Sequence, residues 1–117
     1  MSALQEQFAQ SAALLIQKAK ELGFGVTLGE AFRTPEQAQW NADHGLGIVH
    51  SLHEDRLAID LNLFKGLVNG GEFLVTSDAY VELGTWWKTL GPAYRYGGDF
   101  TTRDYDHFSL SCGDGRA

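Results

Sequence analysis

The sequence is poor in cysteine, with Cys112 as the single residue of this type among 117. One cysteine excludes an internal disulfide. It also weakens the case for a structural zinc site, because such sites have four protein ligands and often several cysteines. Cys112 could act as a nucleophile, but no histidine and acid are visibly arranged around it, which favours a thiol without a catalytic role.

Basic clusters and long apolar runs are missing as well. The formal net charge is -6 without any grouping of lysine and arginine, a composition unfavourable for binding nucleic acid or an anionic membrane surface. No stretch reaches the roughly 18 apolar residues that a membrane-spanning helix needs. The N-terminus has neither the basic start nor the apolar centre of a signal peptide, so we expect synthesis in the cytoplasm without one.

What is present suits one small globular domain. The 117 residues are 44% hydrophobic and 21% charged, which is enough apolar material for a single core. Fourteen glycines against two prolines indicate many turns around short elements. We expect a monomeric domain over residues 1–117, with a frayed tail at about 112–117.

Hydrophobic periodicity predicts an α+β fold. Apolar residues at three- and four-residue steps indicate helices, and two-residue alternation indicates strands. Asn69-Gly70-Gly71 predicts a hairpin turn, so we expect a small antiparallel sheet flanked by about three helices. The predicted helices span 3–22, 34–44 and 78–90, and the predicted strands span 25–32, 56–64, 72–75 and 107–110.

Individual residues mark where the helices begin and end. Ser2 is a candidate N-cap for the first helix, and Gly23 is a candidate for the position after its end. The run Thr34-Pro35-Glu36-Gln37 has the cap, the first-turn proline and the third-position amide of a capping box. Trp86-Trp87 in the third helix could form a ligand platform, although we expect at least one of the pair to pack in the core.

Two imidazoles and two carboxylates in two separate segments have the composition of a catalytic metal site. Catalytic zinc commonly has three protein ligands, often two histidines and one acid, and keeps a fourth position for water. We therefore predict that His53, Asp60 and His107 hold zinc, with Asp104 as a spare acid near the water. Alternation in the strand 56–64 turns Asp60 to the face opposite its main apolar row.

Two further histidines lie close to these segments. His44 and His50 are possible ligands, but four histidines cannot all fill one site with three protein ligands. We interpret both as loop or surface residues.

The same segments resemble a known family, the zinc peptidases of the D-Ala-D-Ala carboxypeptidase group. That group includes the vancomycin-resistance dipeptidases and carboxypeptidases, and phage endolysins that cut L-alanyl-D-glutamate bonds. The resemblance spans roughly residues 25–110, and four separated segments occur in the family's order: Phe32-Arg33-Thr34-Pro35-Glu36-Gln37, Ser51-x-His53-x-x-x-x-Ala58-x-Asp60, Gly97-Gly98-Asp99-Phe100 and Asp104-x-x-His107.

The resemblance implies a fold like that of hedgehog and D-Ala-D-Ala-peptidase domains, and a zinc-dependent peptidase acting on peptidoglycan stem peptides. It makes Asp104 the group that accepts a proton from water and passes one to the leaving amine. It makes Arg33 a residue that steadies substrate or oxyanion charge, where otherwise a salt bridge to an acid would be the simpler interpretation. We also expect Ser51, Tyr96 and Asp99 to support or contact substrate.

Two positions depart from the family pattern. Arg56 stands where the family usually has glycine, which bears on the shape of the loop before the strand. Asp104 stands where the family usually has glutamate, although some endolysins of the group also use aspartate. The shorter side chain reduces the reach of the base by one methylene.

The small size, the missing signal peptide and the aspartate base are most similar to a phage or prophage endolysin with L-alanyl-D-glutamate endopeptidase activity. Such an enzyme acts on peptidoglycan in the periplasm or cell wall after release from the host cytoplasm. Two alternatives stay open. A D-Ala-D-Ala carboxypeptidase or dipeptidase needs a closed pocket for a free C-terminal carboxylate, and a zinc-containing wall-binding module, as in hedgehog-type domains, needs no catalytic acid.

Overall fold

The computed structural model describes residues 1–46, 51–65, 72–73, 77–114 and 116, with the backbone alone described at 72, 73 and 77. Three helices and five strands are present in these ranges, together with one turn of 3-10 helix at Gly97–Asp99. The helices are α1 (Ser2–Glu21), α2 (Pro35–Asp43) and α3 (Ser77–Lys88), and the strands are β1 (Phe24–Leu28), β2 (Ala58–Lys65), β3 (Glu72–Phe73), β4 (Tyr94–Tyr96) and β5 (His107–Leu110).

The strands form one antiparallel sheet with β2 at its centre. The order across the sheet is β1-β2-β5-β4, and the short β3 also pairs with β2. The register places Leu63 opposite Val26 on one side of β2 and Asp60 opposite His107 on the other. The expected α+β fold, with a small antiparallel sheet and three helices, is confirmed.

Alternation along β2 divides the sheet into an apolar face and a polar face. Ile59, Leu61 and Leu63 are buried and belong to the hydrophobic core, whereas Asp60 between them is only partly buried. Helices α1 and α3 supply the other half of this core from residues such as Leu15 and Trp87. The helices therefore cover the apolar face, and the opposite face carries the polar side chain of Asp60.

Large aromatic side chains join α3 to the second half of the sheet. Trp87 is fully buried, and its indole N–H donates to the carbonyl of Ser109 in β5 at 3.1 Å. Its ring meets those of Phe8, Tyr94 and Phe108 edge-on, an arrangement that aromatic pairs prefer. Trp87 thus has the core role expected of one member of the tryptophan pair.

The helix ends follow the predicted signals with one exception. Thr34 caps α2 by accepting a hydrogen bond from the N–H of Gln37 at 3.1 Å. Gly23 and Gly45 both have the positive φ that favours glycine just beyond a helix end. The N-cap of α1 is Met1 instead of Ser2, because the helix begins one residue earlier than the capping pattern indicated.

Strand β1 ends at Leu28, four residues before the end predicted from alternation. The Gly29 N–H donates to the carbonyl of Asp60 at 2.8 Å, and the Asp60 N–H donates to the carbonyl of Glu30 at 2.9 Å. Two residues therefore face one, in the manner of a β-bulge, which breaks the regular ladder and changes the direction of side chains. A Cβ on Gly29 would lie 3.0 Å from the Cβ of Asp60, so glycine permits this close approach.

Arg56 adopts a left-handed backbone conformation, with φ at 58°. The glycine that the resemblance leads us to expect at this position would adopt the conformation without the cost of about 1 kcal/mol or more that other residues meet. The Arg56 guanidinium lies 4.1 Å from the centre of the Phe32 ring. That cation–π contact offsets part of the strain.

The frayed tail at about 112–117 stays a prediction, and two described residues near the C-terminus contact the rest of the domain. The Ser111 N–H donates to the carbonyl of Ala93 at 2.8 Å, and Arg116 pairs with Asp55 at 2.6 Å. An arginine near the end finds acidic partners, which composition alone did not indicate. The predicted hairpin turn Asn69-Gly70-Gly71 and the histidine His50 lie outside the described residues.

Within the described ranges, no helix is both long enough and apolar enough to cross a bilayer.

A glycine in α3 provides a test of the packing between helix and sheet. A Cβ on Gly84 would lie 2.4 Å from the ring of Tyr96, which is itself buried at 2% exposure. We expect Gly84→Ala to lower the free energy of unfolding by about 1–3 kcal/mol, as overpacking does, although alanine is the better helix former. Denaturant titration of both proteins measures the change.

Thr85→Ala is the matched control, because Thr85 is the next residue of the same helix and is exposed. We expect that change to leave stability within about 0.5 kcal/mol of the unmodified protein. A Gly84→Ala protein that gains about 1 kcal/mol, as on an exposed helix face, would contradict the described contact with Tyr96.

Candidate metal centre

Three buried or half-buried side chains converge on the polar face of the sheet. Asp60 in β2 and His107 in β5 are direct cross-strand partners, so their side chains lie side by side on the same face. His53 comes from the turn before β2, where its N–H donates to the Ser51 hydroxyl at 3.2 Å. The three residues predicted as metal ligands are thus brought together by one strand pair and one turn.

The distances within this group fit a tetrahedral metal. Asp60 Oδ1 lies 3.4 Å from His53 Nε2 and 3.5 Å from His107 Nδ1. All three candidate ligand atoms lie within 4.8 Å of one another. Zinc bonds of roughly 2.0–2.1 Å at tetrahedral angles separate neighbouring ligand atoms by about 3.4 Å, so the residues fit a zinc ion.

The burial of these groups also fits a metal site. His53 is 2% exposed and His107 is 6% exposed. Asp60 Oδ1 is buried without a hydrogen bond of good geometry among the described residues. Burial raises the pKa of Asp60, but the adjacent imidazoles of His107 and His53 outweigh it and lower that pKa to about 2. The Asp60 carboxylate is therefore ionised and has an oxygen available to accept a bond, as a metal ligand requires.

Asp104 lies beside the three ligands without being one of them. Its Oδ2 is 3.9 Å from His107 Nδ1, and its side chain is 52% exposed. The loop is held by the Asp104 N–H donating to the carbonyl of Gly97 and by the His107 N–H donating to the carbonyl of Asp104. The carboxylate consequently stands at the solvent side of the group, where a water molecule can reach it.

A second acid, Asp106, lies close to Asp104 and was not predicted as a site residue. Burial, together with a hydrogen bond to Asp104 and the charges of Asp60 and Asp104, raises the pKa of Asp106 to about 7. A ligand atom from each of these three acids lies within 4.8 Å of the other two. Burial and the neighbouring acids therefore favour the protonated form of Asp106, which can donate a hydrogen bond to the Asp104 carboxylate.

Arg33 extends into the same cleft from the segment between β1 and α2. Its guanidinium donates from Nε to Glu30 Oε1 at 2.8 Å, and its Nη2 lies 2.5 Å from the same oxygen. Its side chain is 13% exposed. Arg33 thus lines the cleft and forms a salt bridge with Glu30, while its role in the site stays a prediction.

The cleft around the candidate ligands has a volume of about 450 Å3. Besides the ligands and Asp104 it is lined by apolar side chains, among them Phe100, and by three arginines, Arg33, Arg103 and Arg116. Arg116 is paired with Asp55 and Asp114. Among the described residues Arg103 forms no ion pair, and its Nη1 donates to the Tyr105 hydroxyl at 3.2 Å.

The three residues predicted as substrate contacts are distributed differently. Ser51 lines the cleft and also accepts the His53 N–H. Tyr96 is buried under the sheet against Phe108, and Asp99 pairs with Lys88 at 2.8 Å outside the cleft. Neither Tyr96 nor Asp99 lines the cleft. The side chain of Tyr96 belongs to the hydrophobic core, and the 3-10 turn carries Asp99 toward α3. The exposed ring of His44 stacks on Trp40, away from the ligands.

Three functional candidates, Glu30, Arg103 and Asp106, were missed in the sequence. Asp106 had a visible signal, since it lies two residues from Asp104 and next to a predicted ligand. Arg103 had a comparable signal, because it directly precedes the predicted acid Asp104. Simple alternation over the predicted strand 25–32 places Glu30 on the same face as Val26 and Leu28, and only the bulge turns it to the other face.

Comparison with family models and with curated protein sequences finds no match. Among solved structures, the crystal structure of Serratia marcescens L-Ala D-Glu endopeptidase ChiX is similar, with a TM-score of 0.67 and 18% identity. The similarity covers 95% of this chain and 89% of that chain. It shows a shared fold and thereby supports the fold family expected from the motifs, while the branch within it stays a prediction.

Proposed function

We propose that this chain is a zinc metallopeptidase that hydrolyses peptidoglycan stem peptides. The observation that carries the proposal is the group His53, Asp60 and His107, whose ligand atoms converge as tetrahedral zinc requires, with Asp104 free beside them. Catalytic zinc sites combine three protein ligands with an open position, whereas structural sites are closed by a fourth. The fold shared with an L-Ala D-Glu endopeptidase is consistent with this chemistry.

His53, Asp60 and His107 would hold the ion, which supplies a Lewis acid and an activated water when bound. Asp104 takes a proton from the attacking water at its carboxylate and returns one to the leaving amine. Its partial exposure and its position next to His107 suit both transfers. The guanidinium of Arg33 stabilises the negative charge that develops on the carbonyl oxygen.

The charges of the cleft support an anionic peptide as substrate. Three of the nine lysines and arginines of this acidic chain line the cleft. Arg33 and Arg116 are paired with acids, which leaves Arg103 as the cleft arginine without an ion pair among the described residues. A glutamyl residue in a linear peptide keeps one carboxylate free, so a D-glutamate next to the cleaved bond would bring a negative charge to the site. We therefore favour the L-alanyl-D-glutamate bond, and the phage or prophage endolysin branch on the basis of the aspartate base.

The deciding experiment is mass spectrometry of purified peptidoglycan after incubation with the zinc-loaded protein. We expect new L-alanine C-termini paired with D-glutamate N-termini. Loss of only a terminal D-alanine would replace the proposal with a carboxypeptidase. No product, together with a chelator that merely lowers the melting temperature, would indicate a binding module.

Separate removal of a ligand and of the base distinguishes their roles. We expect Asp104→Ala to lower kcat at least about 100-fold, because general base catalysis contributes that much or more, while zinc content stays near one per chain. We expect His53→Ala to lose both zinc and turnover. Metal analysis after dialysis and turnover of a soluble stem peptide measure the two quantities.

The matched control is Asp43→Ala, since Asp43 is an exposed aspartate at the end of α2. Its zinc content and kcat should equal those of the unmodified protein. Equal zinc loss in the Asp104 and His53 variants would instead make Asp104 a ligand.

The cleft arginine that forms no ion pair in the described residues provides a test of substrate charge. We expect Arg103→Gln to raise KM for a soluble L-alanyl-D-glutamate peptide about tenfold and to change kcat little, because one charge-assisted contact contributes roughly 1.5 kcal/mol to binding. Steady-state kinetics at low ionic strength measures both constants. Arg95→Gln is the control, as Arg95 is exposed on β4 outside this cleft. Unchanged KM in the Arg103 variant would remove this arginine from substrate recognition.

A further inference from the structure

The carboxylate of Glu30 contacts both a candidate zinc ligand, His53, and the candidate oxyanion-stabilising residue, Arg33. Its Oε1 accepts a hydrogen bond from Arg33 Nε at 2.8 Å and lies 3.5 Å from His53 Nδ1. The opposite ring nitrogen of His53, Nε2, is the one directed at Asp60. We propose that Glu30 is a positioning residue, which sets the proton of the His53 imidazole and the direction of the Arg33 guanidinium. This inference rests on the proposed zinc site.

Backbone hydrogen bonds tie the segment around Glu30 to two of the candidate ligands, Asp60 and His53. The carbonyl of Glu30 accepts the Asp60 N–H at 2.9 Å, and the Arg33 N–H donates to the carbonyl of His53 at 3.2 Å. Gly29 allows the close approach to Asp60 on which this attachment depends. The carboxylate is therefore held from a fixed main chain, unlike one on an exposed loop, and its position is set by the bulge.

His53 needs such a partner because its ring is buried. Its Nδ1 is inaccessible to solvent and has no hydrogen bond of good geometry among the described residues. A buried N–H that lacks an acceptor costs free energy, and the Glu30 oxygen is an acceptor within a short movement of a normal bond length of about 2.9 Å. A proton kept on Nδ1 leaves the lone pair of Nε2 on the side of Asp60, where a metal would bind.

Arg33 gains direction from the same oxygen. Glu30 engages the Nε edge of the guanidinium, and the arginine lines the cleft. Arginine carries several rotatable bonds, so a fixed edge removes conformational freedom that substrate binding would otherwise have to remove. One carboxylate thus couples the geometry of a candidate ligand to that of a candidate oxyanion-stabilising group.

The tautomer of His53 tests the proposal directly and requires neither zinc nor substrate. In metal-free protein at about pH 8, where an ordinary imidazole is neutral, 15N NMR should find the His53 proton on Nδ1. We expect Glu30→Ala to abolish that preference and to remove the slowly exchanging Nε–H signal of Arg33. Glu30→Gln keeps an amide oxygen as acceptor and should preserve the tautomer.

Zinc affinity is the second readout, measured by competition with a chromophoric chelator. We expect Glu30→Ala to weaken zinc binding about 10- to 100-fold, the usual effect of losing the hydrogen-bond partner of a ligating histidine. Glu30→Gln should weaken it several-fold, because a charge-assisted hydrogen bond is roughly twice as strong as a neutral one. The controls Glu82→Ala and Glu82→Gln change an exposed glutamate of α3 and should leave affinity unaltered.

Thermal denaturation establishes that each variant is folded. A folded Glu30→Ala protein with the original tautomer and zinc affinity would overturn the proposal. If that variant fails to fold, unchanged zinc affinity in Glu30→Gln would overturn it equally. Intact zinc and tautomer effects without any peptidoglycan cleavage would contradict the proposed function and leave the role of Glu30 standing.

Discussion

The structure depends above all on the pairing of β2 with β5. This pairing sets Asp60 and His107 opposite each other, although 46 positions separate them in the chain. Because side chains alternate along a strand, the same register that aligns these two polar residues also aligns Ile59 with Phe108 on the other face. A slip of one residue would bury the carboxylate under the helices and expose the core. Stability of the fold and geometry of the centre are consequently parts of one constraint.

Two opposing demands meet on Asp60. Burial disfavours its charge, and the neighbouring imidazoles favour it, with the second effect prevailing. The group therefore combines an ionised acid with two closely placed histidines, an arrangement that ordinary core packing does not require. The pKa of Asp106 changes in the opposite direction, because burial and the neighbouring acids both raise it. The contrast between the two aspartates follows from the sign of the surrounding charge.

Much of the fold and the grouping of His53, Asp60 and His107 could be predicted from the sequence, because both depend on local patterns. The role of these three residues as zinc ligands stays a prediction. Alternation identified the faces of β2, and Thr34 to Gln37 indicated the start of α2. The position of Asp99 could not be read in the same way, since the 3-10 turn that carries it to Lys88 has no alternating pattern. Tyr96 was equally ambiguous, because an aromatic residue beside glycines suits a cleft as well as a core. Its burial depends on α3, which presents Gly84 to its ring.

Because of the bulge at Gly29 and Glu30, the number of residues in this segment determines the face of the sheet on which Glu30 lies. In an unbroken ladder residue 30 would pair with Ile59 and point toward the helices, but the extra residue turns it to the side of Asp60. Deletion of Gly29 would restore regular alternation with Glu30 still opposite Asp60, whereas a straightened strand of unchanged length would exchange the two faces from that point on. Surface loops of a protein commonly vary in length between relatives. The stretch from Leu28 to Arg33 is a spacer whose count of residues, as well as its composition, carries information.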